Sequence, residues 1–488
     1  MGLCAPALGM LLAGAAGAAP LDTTADAVLG QVNFTTADPN QPDGSPTAAN
    51  FALSNAAHVA IAADGRIYVA DADNNRVLSW PSAAGFTNGE AADLVIGQGD
   101  FVSNAPNRGL SVGTRADAFF LPQGLSVDAA GNLWVADAYN SRVLRFDNPP
   151  ATDGIADLVI GQPDFVSNAP NLGQGDRRGE NPDAALPDSL LYPGRIIARD
   201  GDVWISDSGN SRVLHYTAPS VNKPFADAVF GQYGSFTSRA KNNDGTGNHG
   251  TTPSADNLLN CIGIALDAYG NLYIADWQNN RVLRFDDPLT TDTTADAVLG
   301  QPDFTSGSPD NGGLELGLHL PIDLFVDGGG ALYVVDAANH RVLVYRDPLF
   351  DPLLPDRVYG QLGSFTTEQF NHGLGPFASD ADGLFGPSGV ALDDALNLLI
   401  VDTNNSRVLR FDTVRAATTP ADFDLDGDVD AADAARIINC LQEPDAPAAA
   451  ACRPADLDAD HDVDLADYAR FQRCFLGNGV TVDAACGQ

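Results

Sequence analysis

The stretch DAYNSRVLRF, residues 137–146, recurs in close copies six times along this chain of 488 residues. The others are DADNNRVLSW from Asp71, DSGNSRVLHY from Asp207, DWQNNRVLRF from Asp276, DAANHRVLVY from Asp336 and DTNNSRVLRF from Asp402, and all read Asp-x-x-Asn-x-Arg-Val-Leu. The repeated arginines stand at 76, 142, 212, 281, 341 and 407, a period long enough for several strands per unit. Within LPQGLSVDAAGNLWVADAYNSRVLRF, from Leu121, an extended stretch, a Gly-Asn turn, the alternating run NLWVAD, a polar turn at 138–141 and the run RVLRF predict a three-stranded meander.

A second repeated string supplies a fourth strand. It reads ADAVLGQ from Ala25 and Ala295, ADLVIGQ from Ala92 and Ala156, ADAVFGQ from Ala226 and PDRVYGQ from Pro355. One copy precedes the first three-strand unit and none follows the last, so the sixth sheet lacks an outer strand that the N-terminal copy can fill. Such closure removes an open sheet edge. The expected fold is all-β: six four-stranded sheets in a six-bladed β-propeller closed by the N-terminal strand, followed by a small helical domain.

GNLYIADWQNNRVLRF from Gly270 and PSGVALDDALNLLIVDTNNSRVLRF from Pro387 resemble NHL repeats, a family whose known fold is a β-propeller. The resemblance spans roughly residues 21–414, within an expected propeller domain at 20–414. The unit here exceeds the roughly 40 residues typical of propeller repeats. The excess lies in loops rich in Asn, Gly, Asp, Ser and Pro between each Gly-Gln and the next inner strand. An up-and-down blade brings these loops out on the face that carries the Asp-x-x-Asn turns. Six long loops on one rigid rim have the makings of a recognition surface.

The Asp-x-x-Asn-x-Arg string itself reads as structural. Asp137 and Asn140 bracket a turn, their side chains bonding backbone N–H groups with Asn accepting positive φ, and Arg142 meets a carboxylate of its own or the next blade. Chemistry needs asymmetry. Counted back from the repeated Asp, one column of the inner strands reads His58, Gly124, Gly194, Gly263, Asp323, Gly389, with His319 just ahead of its strand. Some propellers of this kind are enzymes, such as peptidyl-hydroxyglycine amidating lyase and the metal-dependent lactonases, with channel metal ions. The resemblance implies that a comparable cluster could form from His58, His319 and Asp323. The remaining histidines, His215 among them, read as exposed strand or loop residues, and Cys261 as a buried small side chain. No Ser-His-Asp order, phosphate loop or dinucleotide fingerprint is present.

Lys and Arg number 26 against 64 Asp and Glu, a net charge of -38 that repels phosphate backbones and anionic lipid surfaces and argues against a nucleic-acid partner. LGMLLAGAAGAAP, from Leu8, reads as the apolar core of a signal peptide over residues 1–19 with a cleavage site near Ala18. The expected location is extracellular, secreted or at the cell surface. No other run approaches the length of a membrane span.

After a linker at 415–420, composition shifts to Asp and Ala, and residues 421–488 read as a second domain. DFDLDGDVDAAD, from Asp422, places carboxylates at positions 1, 3, 5, 9 and 12 and Gly427 at position 6, the spacing of an EF-hand-type calcium loop. Asp422, Asp424 and Asp426 are the direct ligands, Asp428 acts through its carbonyl, Asp430 through water, and Asp433 closes the loop. DLDADHDVDLAD repeats the register with Asp456, Asp458, Asp460, Asp462, Asp464 and Asp467, but with His461 in the glycine position. Two Ca²⁺ sites are expected, the second weaker, each running into a helix.

Paired loops each followed by one helix resemble a dockerin, a module that docks exported proteins onto cohesins in polysaccharide-degrading assemblies. The resemblance covers 421–476 and departs at positions 10 and 11, where Ala431-Ala432 and Leu465-Ala466 stand in place of Ser-Thr pairs. Cys440 and Cys474 occupy matching places in the two units, as do Cys452 and Cys486. Disulfides Cys440–Cys452 and Cys474–Cys486 are expected, with Cys440–Cys474 as the alternative. The whole reads as a secreted recognition or scaffold protein. Its propeller face would bind a glycan or a protein, and its tail would dock to a cohesin-like or cell-surface partner. The rival is a metal-dependent lyase or hydrolase carried by the same tail.

Overall fold

The computed structural model describes residues 23–40, 52–173, 185–346, 348, 354–376 and 378–412, and in the tail 421, 429, 431–441, 457 and 463–475. Residues 1–19, with the expected signal, and the linker at 415–420 lie outside the described residues.

Six four-stranded antiparallel sheets form the six-bladed propeller. In the second blade Pro122–Val127, Leu133–Asp137, Arg142–Phe146 and Leu158–Ile160 run from the channel outward. The sixth blade takes its outer strand from the other end of the chain, with Ala27 opposite Arg410, Val28 opposite Leu409 and Leu29 opposite Val408. Strand residues alternate between the two blade faces, and each apolar face packs on the next blade. Leu53, Val59, Val69 and Trp80 of the first blade meet Leu399, Val401 and Val408 of the sixth in one buried cluster.

What fixes each blade is a buried polar node built on the repeated string. Asp137 sits at the end of its strand. Its Oδ1 accepts the Phe120 amide at 2.7 Å, and its Oδ2 accepts Asn140 Nδ2 and Arg142 Nε, both at 2.8 Å. Arg142 Nη1 donates to the Phe165 carbonyl at 2.7 Å and Nη2 to the Arg115 and Ala118 carbonyls at 2.8 and 2.9 Å. The pair is fully buried. All six blades repeat the Asp–Arg bond at 2.6–2.8 Å within the blade, not to the next one. Left-handed φ falls one residue beyond the expected Asn, at Asn75, Ser141, Ser211, Asn280, His340 and Ser406. This frees the Asn side chain for the node. Each Gly-Gln string joins it as well: Gln162 Nε2 donates to the Ser141 carbonyl at 3.0 Å, and Gln31 makes the same bond to Ser406 at 3.1 Å across the closure.

The long loops are anchored here too. In five blades an Asn of the loop exchanges side-chain bonds with the turn Asn, as Asn107 does with Asn140 at 2.7 and 3.1 Å and Asn40 with Asn74 at 2.7 and 3.2 Å, and in the fifth blade Asp310 Oδ1 accepts Asn339 Nδ2 at 2.8 Å. All six loops therefore rise from the face that carries the turns. In the tail, α1 (Ala431–Cys440) and α2 (Leu465–Cys474) share a small core of Val429, Ile437, Val463 and Phe471. Cys440 and Cys474 are both disulfide-bonded, while Cys452 and Cys486 lie outside the described residues.

A buried guanidinium whose carboxylate is intact cannot be removed cheaply, because the remaining charge is stranded. Arg142→Met is expected to destabilise the propeller by about 3–5 kcal/mol in urea unfolding. Arg115→Ala, which breaks an exposed pair with Asp117, should leave the midpoint in place.

Candidate functional site

The channel is where the sequence places its asymmetry, and there the structure revises the column. The hairpin at the end of the third blade's inner strand is tight, Arg199 pairing directly with Asp202, so Ile196 stands opposite Ile205 as Leu125 stands opposite Val135. The channel column therefore reads His58, Gly124, Arg195, Gly263, Asp323, Gly389, with Arg195 in place of the expected Gly194. Side chains and glycines alternate around the ring for a steric reason. A Cβ on Gly124 would lie 2.2 Å from the Gly194 carbonyl oxygen, and one on Gly263 2.7 Å from Asp323 Cα. Inner strands this close leave room for three side chains.

Those three meet. Arg195 Nε donates to Asp323 Oδ1 at 2.9 Å, and His58 Nε2 lies 3.3 Å from Asp323 Oδ2. Arg195 also donates to the carbonyls of Gln123 at 3.2 Å, Ala57 at 3.1 Å and Ser388, so one guanidinium of the third blade ties together the first, second, fifth and sixth. The Leu125 amide donates to His58 Nδ1 at 3.2 Å and the Val390 amide to Asp323 Oδ2 at 3.0 Å. These residues lie at the loop-face ends of the inner strands and shut the channel there. A cavity of about 230 Å³ continues beneath them toward the opposite face, with Val127, Leu266 and Val326 on its wall.

Burial pushes His58 below its ordinary value of 6.5, the Arg195 charge adds to that push, and Asp323 opposes it. Burial pushes Asp323 the other way, but Arg195 and His58 outweigh it and hold the carboxyl below its usual range. At neutral pH the trio is thus a carboxylate between a neutral imidazole and a guanidinium.

Of the channel ligands expected from sequence, His58 and Asp323 come together and His319 does not join them. The His319 amide donates to Asp336 Oδ1 at 2.7 Å in the blade node, and its Nδ1 lies 3.6 Å from Asp310. The position that a third ligand would take is held by a cation. Among the described residues no three His, Cys, Asp or Glu side chains gather as a metal site. Sequence reading missed Arg195, although it stands one place after the counted Gly194 in a blade whose hairpin is a residue short. His215, expected to be exposed, is buried between Asp202 and Asp227. Cys261 is buried and free as expected, its Sγ donating to the Arg212 carbonyl at 3.4 Å.

In the tail the loop-closing carboxylates Asp433 and Asp467 are both fully buried at the starts of α1 and α2. Asp467 accepts the Leu457 amide at 2.6 Å and the Asp464 amide at 2.8 Å, and Asp464 in turn caps α2 through the Ala466 amide at 2.6 Å. Asp467 thus reaches back to Leu457, the second residue of its twelve-residue acidic loop, as the closing carboxylate of a hard-cation loop does. Asp422, Asp424, Asp426, Asp428 and Asp430 of the first loop, and Asp456, Asp458, Asp460 and Asp462 of the second, lie outside the described residues.

Residues 420–476 match the profile of the Dockerin type I domain, and residues 121–146 and 386–411 match that of the NHL repeat. Domains of the former type bind calcium and dock to cohesins in extracellular assemblies. No curated protein matches the chain. Among solved structures, the chain is similar to a gluconolactonase from Xanthomonas campestris at 17% identity, covering 79% of this chain and 98% of that one with a TM-score of 0.39. It is also similar to virginiamycin B lyase from Staphylococcus aureus at 11%, covering 76% and 96%, TM-score 0.39. Hydrazine synthase from Kuenenia stuttgartiensis, at 11%, covers 76% and 99% with a TM-score of 0.42. No helix among the described residues is long and apolar enough to cross a membrane.

Held below its ordinary value, His58 binds its proton later than the same residue in the unfolded chain. The contribution of His58 to stability is therefore complete above about 6.5 and is lost as pH falls through its folded value. In NMR titration the His58 ring should stay neutral below 6.5. Arg195→Met, which takes away a charge that lowers both groups, should move the His58 titration upward.

Proposed function

The chain is an NHL-repeat β-propeller that carries a dockerin type I domain at residues 420–476, and from that premise we propose that it is a secreted recognition module delivered to an extracellular assembly. The signal at residues 1–19 exports it, the propeller at 20–414 presents its loop face to a glycan or protein, and the tail at 421–488 attaches it. The observation that carries this reading is the closure of the channel by Arg195. Four of its five N–H groups go to Asp323 and three carbonyls of the chain itself, so the guanidinium is spent on holding blades together. The ligand then binds on the face where the six long loops are pinned.

The tail holds two calcium ions, one on Asp422, Asp424, Asp426, Asp428, Asp430 and Asp433 and one on Asp456, Asp458, Asp460, Asp462, Asp464 and Asp467. Bound there, calcium neutralises carboxylates that would otherwise repel one another, which couples its binding to folding of the tail. Cys440–Cys452 and Cys474–Cys486 staple each unit behind its helix. Leu465, which opens α2 where a Ser is usual, is 73% exposed. A partner fitted to this tail therefore meets an apolar contact at that position, whether it is a cohesin or another surface protein.

Calcium titration of the full chain by calorimetry should give two equivalents, Asp422→Ala should leave one, and EDTA should melt the tail while the propeller stays folded. A glycan and protein array probed with the full chain should retain a ligand that is lost on loop-face substitution and kept in Tyr269→Ala on the opposite face. The reverse pattern would sink the loop-face reading.

A further inference from the structure

The loop face is not uniform. The second residue of the turn after the repeated Asp is Asp73, Gly209, Gln278, Ala338 and Asn404 in five blades, all small or polar, and Tyr139 in the second. Tyr139 is 38% exposed. Its ring is gripped on two sides, by Phe120 with centroids 5.0 Å apart and by Tyr192 edge-on at 5.1 Å. Tyr192 adopts φ 50, a left-handed conformation that an aromatic residue takes at a cost. The equivalent residues Asn55, Leu121, Asn260, Leu320 and Gly386 share this left-handed backbone, so the conformation belongs to every blade and only the third fills it with an aromatic side chain. Two tyrosines thus stand side by side at one point of the rim.

Beside Tyr139 lies a cavity of about 350 Å³ whose wall includes Phe120, Leu110, Val112, Ser111 and Asn168. Val112 is 88% exposed, so an apolar tip stands free at the mouth. Asn168 donates one amide hydrogen to Asn140 Oδ1 at 3.3 Å, and no described residue donates to its carbonyl oxygen. Asn107 on the floor is held by Asn140 and Thr114. No charged residue lines the cavity.

The chemistry narrows the occupant. The volume is at the lower end for a small-molecule pocket, about 300 Å³ and upward. Uncharged walls in a chain of net charge -38 disfavour phosphate- or carboxylate-bearing ligands. What remains is a neutral molecule with one apolar face for the aromatic ring and hydroxyls for amide and hydroxyl side chains. A pyranose ring has that shape, its axial C–H bonds on one side and its O–H groups around the edge. We propose that this pocket, built on Tyr139 between the second and third blades, binds a neutral sugar residue of a glycan. The proposal rests on the loop-face reading above and names the ligand class and its position.

The test uses the full chain in calcium, titrated by calorimetry with cellohexaose, xylohexaose and mannohexaose, and with hexagalacturonate as the charged counterpart. At least one neutral oligosaccharide should bind and the charged one should not. Tyr139→Ala should weaken binding by about tenfold or more. Tyr139→Phe, which keeps the ring, should stay within about threefold, and Phe370→Ala on the distant His340–Phe370–Phe385 cluster should match the parent. Sugar binding undiminished in Tyr139→Ala overturns the pocket and leaves the propeller a sugar-recognition module. Failure to bind any neutral oligosaccharide, with a protein retained on the array, overturns the sugar assignment and leaves the loop-face reading. Silence in both overturns both.

Discussion

The structure hangs on one guanidinium per blade. Taking an arginine and an aspartate out of water costs several kcal/mol per ion, and the pair is tolerable only where every remaining donor and acceptor is met. Arg142 meets that condition by reaching three places: the Asp137 carboxylate on the neighbouring strand, the carbonyls of Arg115 and Ala118 on the incoming loop, and the Phe165 carbonyl on the outgoing one. Strand, entry and exit are fixed relative to one another by a single planar fork, which a lysine could not reproduce. Because the node secures each loop at its base, the loop's length and tip are left free. This is how units of unequal length close into one regular ring.

The channel uses the same chemistry once, and differently. In the blades the arginine serves its own sheet, whereas Arg195 serves its neighbours, drawing on carbonyls of the first, second and sixth blades and a carboxylate of the fifth. The three glycines between His58, Arg195 and Asp323 are the steric condition for it, since inner strands that approach to backbone contact leave no space for six side chains. Two kinds of asymmetry follow. The one at the axis is spent internally, and the one at the rim, where Tyr139 breaks the turn's composition, faces outward.

Much of this was legible because it was written six times. The strings at Asp71, Asp137, Asp207, Asp276, Asp336 and Asp402 fixed strands and turn together, and the order of the Gly-Gln copies fixed the closure, since one unpaired copy at the start matches one vacancy at the end. What repetition did not expose was the non-repeating detail. Arg195 lies twelve residues before Asp207, where the other five blades have thirteen to the same column. A one-residue-shorter hairpin therefore moved an arginine into a place that counting assigned to Gly194. His319 is only four residues from Asp323, but a strand rises by about 3.3 Å per residue, and its amide belongs to the rim rather than the axis. The loop asparagines such as Asn107 escaped notice because the loops differ in length and hold them out of register. The two acidic twelve-residue registers are legible in the spacing, and their described parts, Asp433, Asp464 and Asp467, stand at the helix starts that the spacing implied.

The pairing of Val28 with Leu409 also sets an order of events. The first β-strand to leave the ribosome is among the last to find its place, because its partner is made some 380 residues later. Until then Ala27–Leu29 has no sheet to join, and the sixth blade is a three-stranded ribbon with a naked flank. A nascent or clipped chain that ends before residue 411 cannot reach the native ring, however well its early blades have formed. Joining termini this far apart carries a loop-closure cost that grows only logarithmically with separation, so the burden falls on speed more than on stability. The interval before the ends meet is when the protein is most open to mispairing with a second copy of itself.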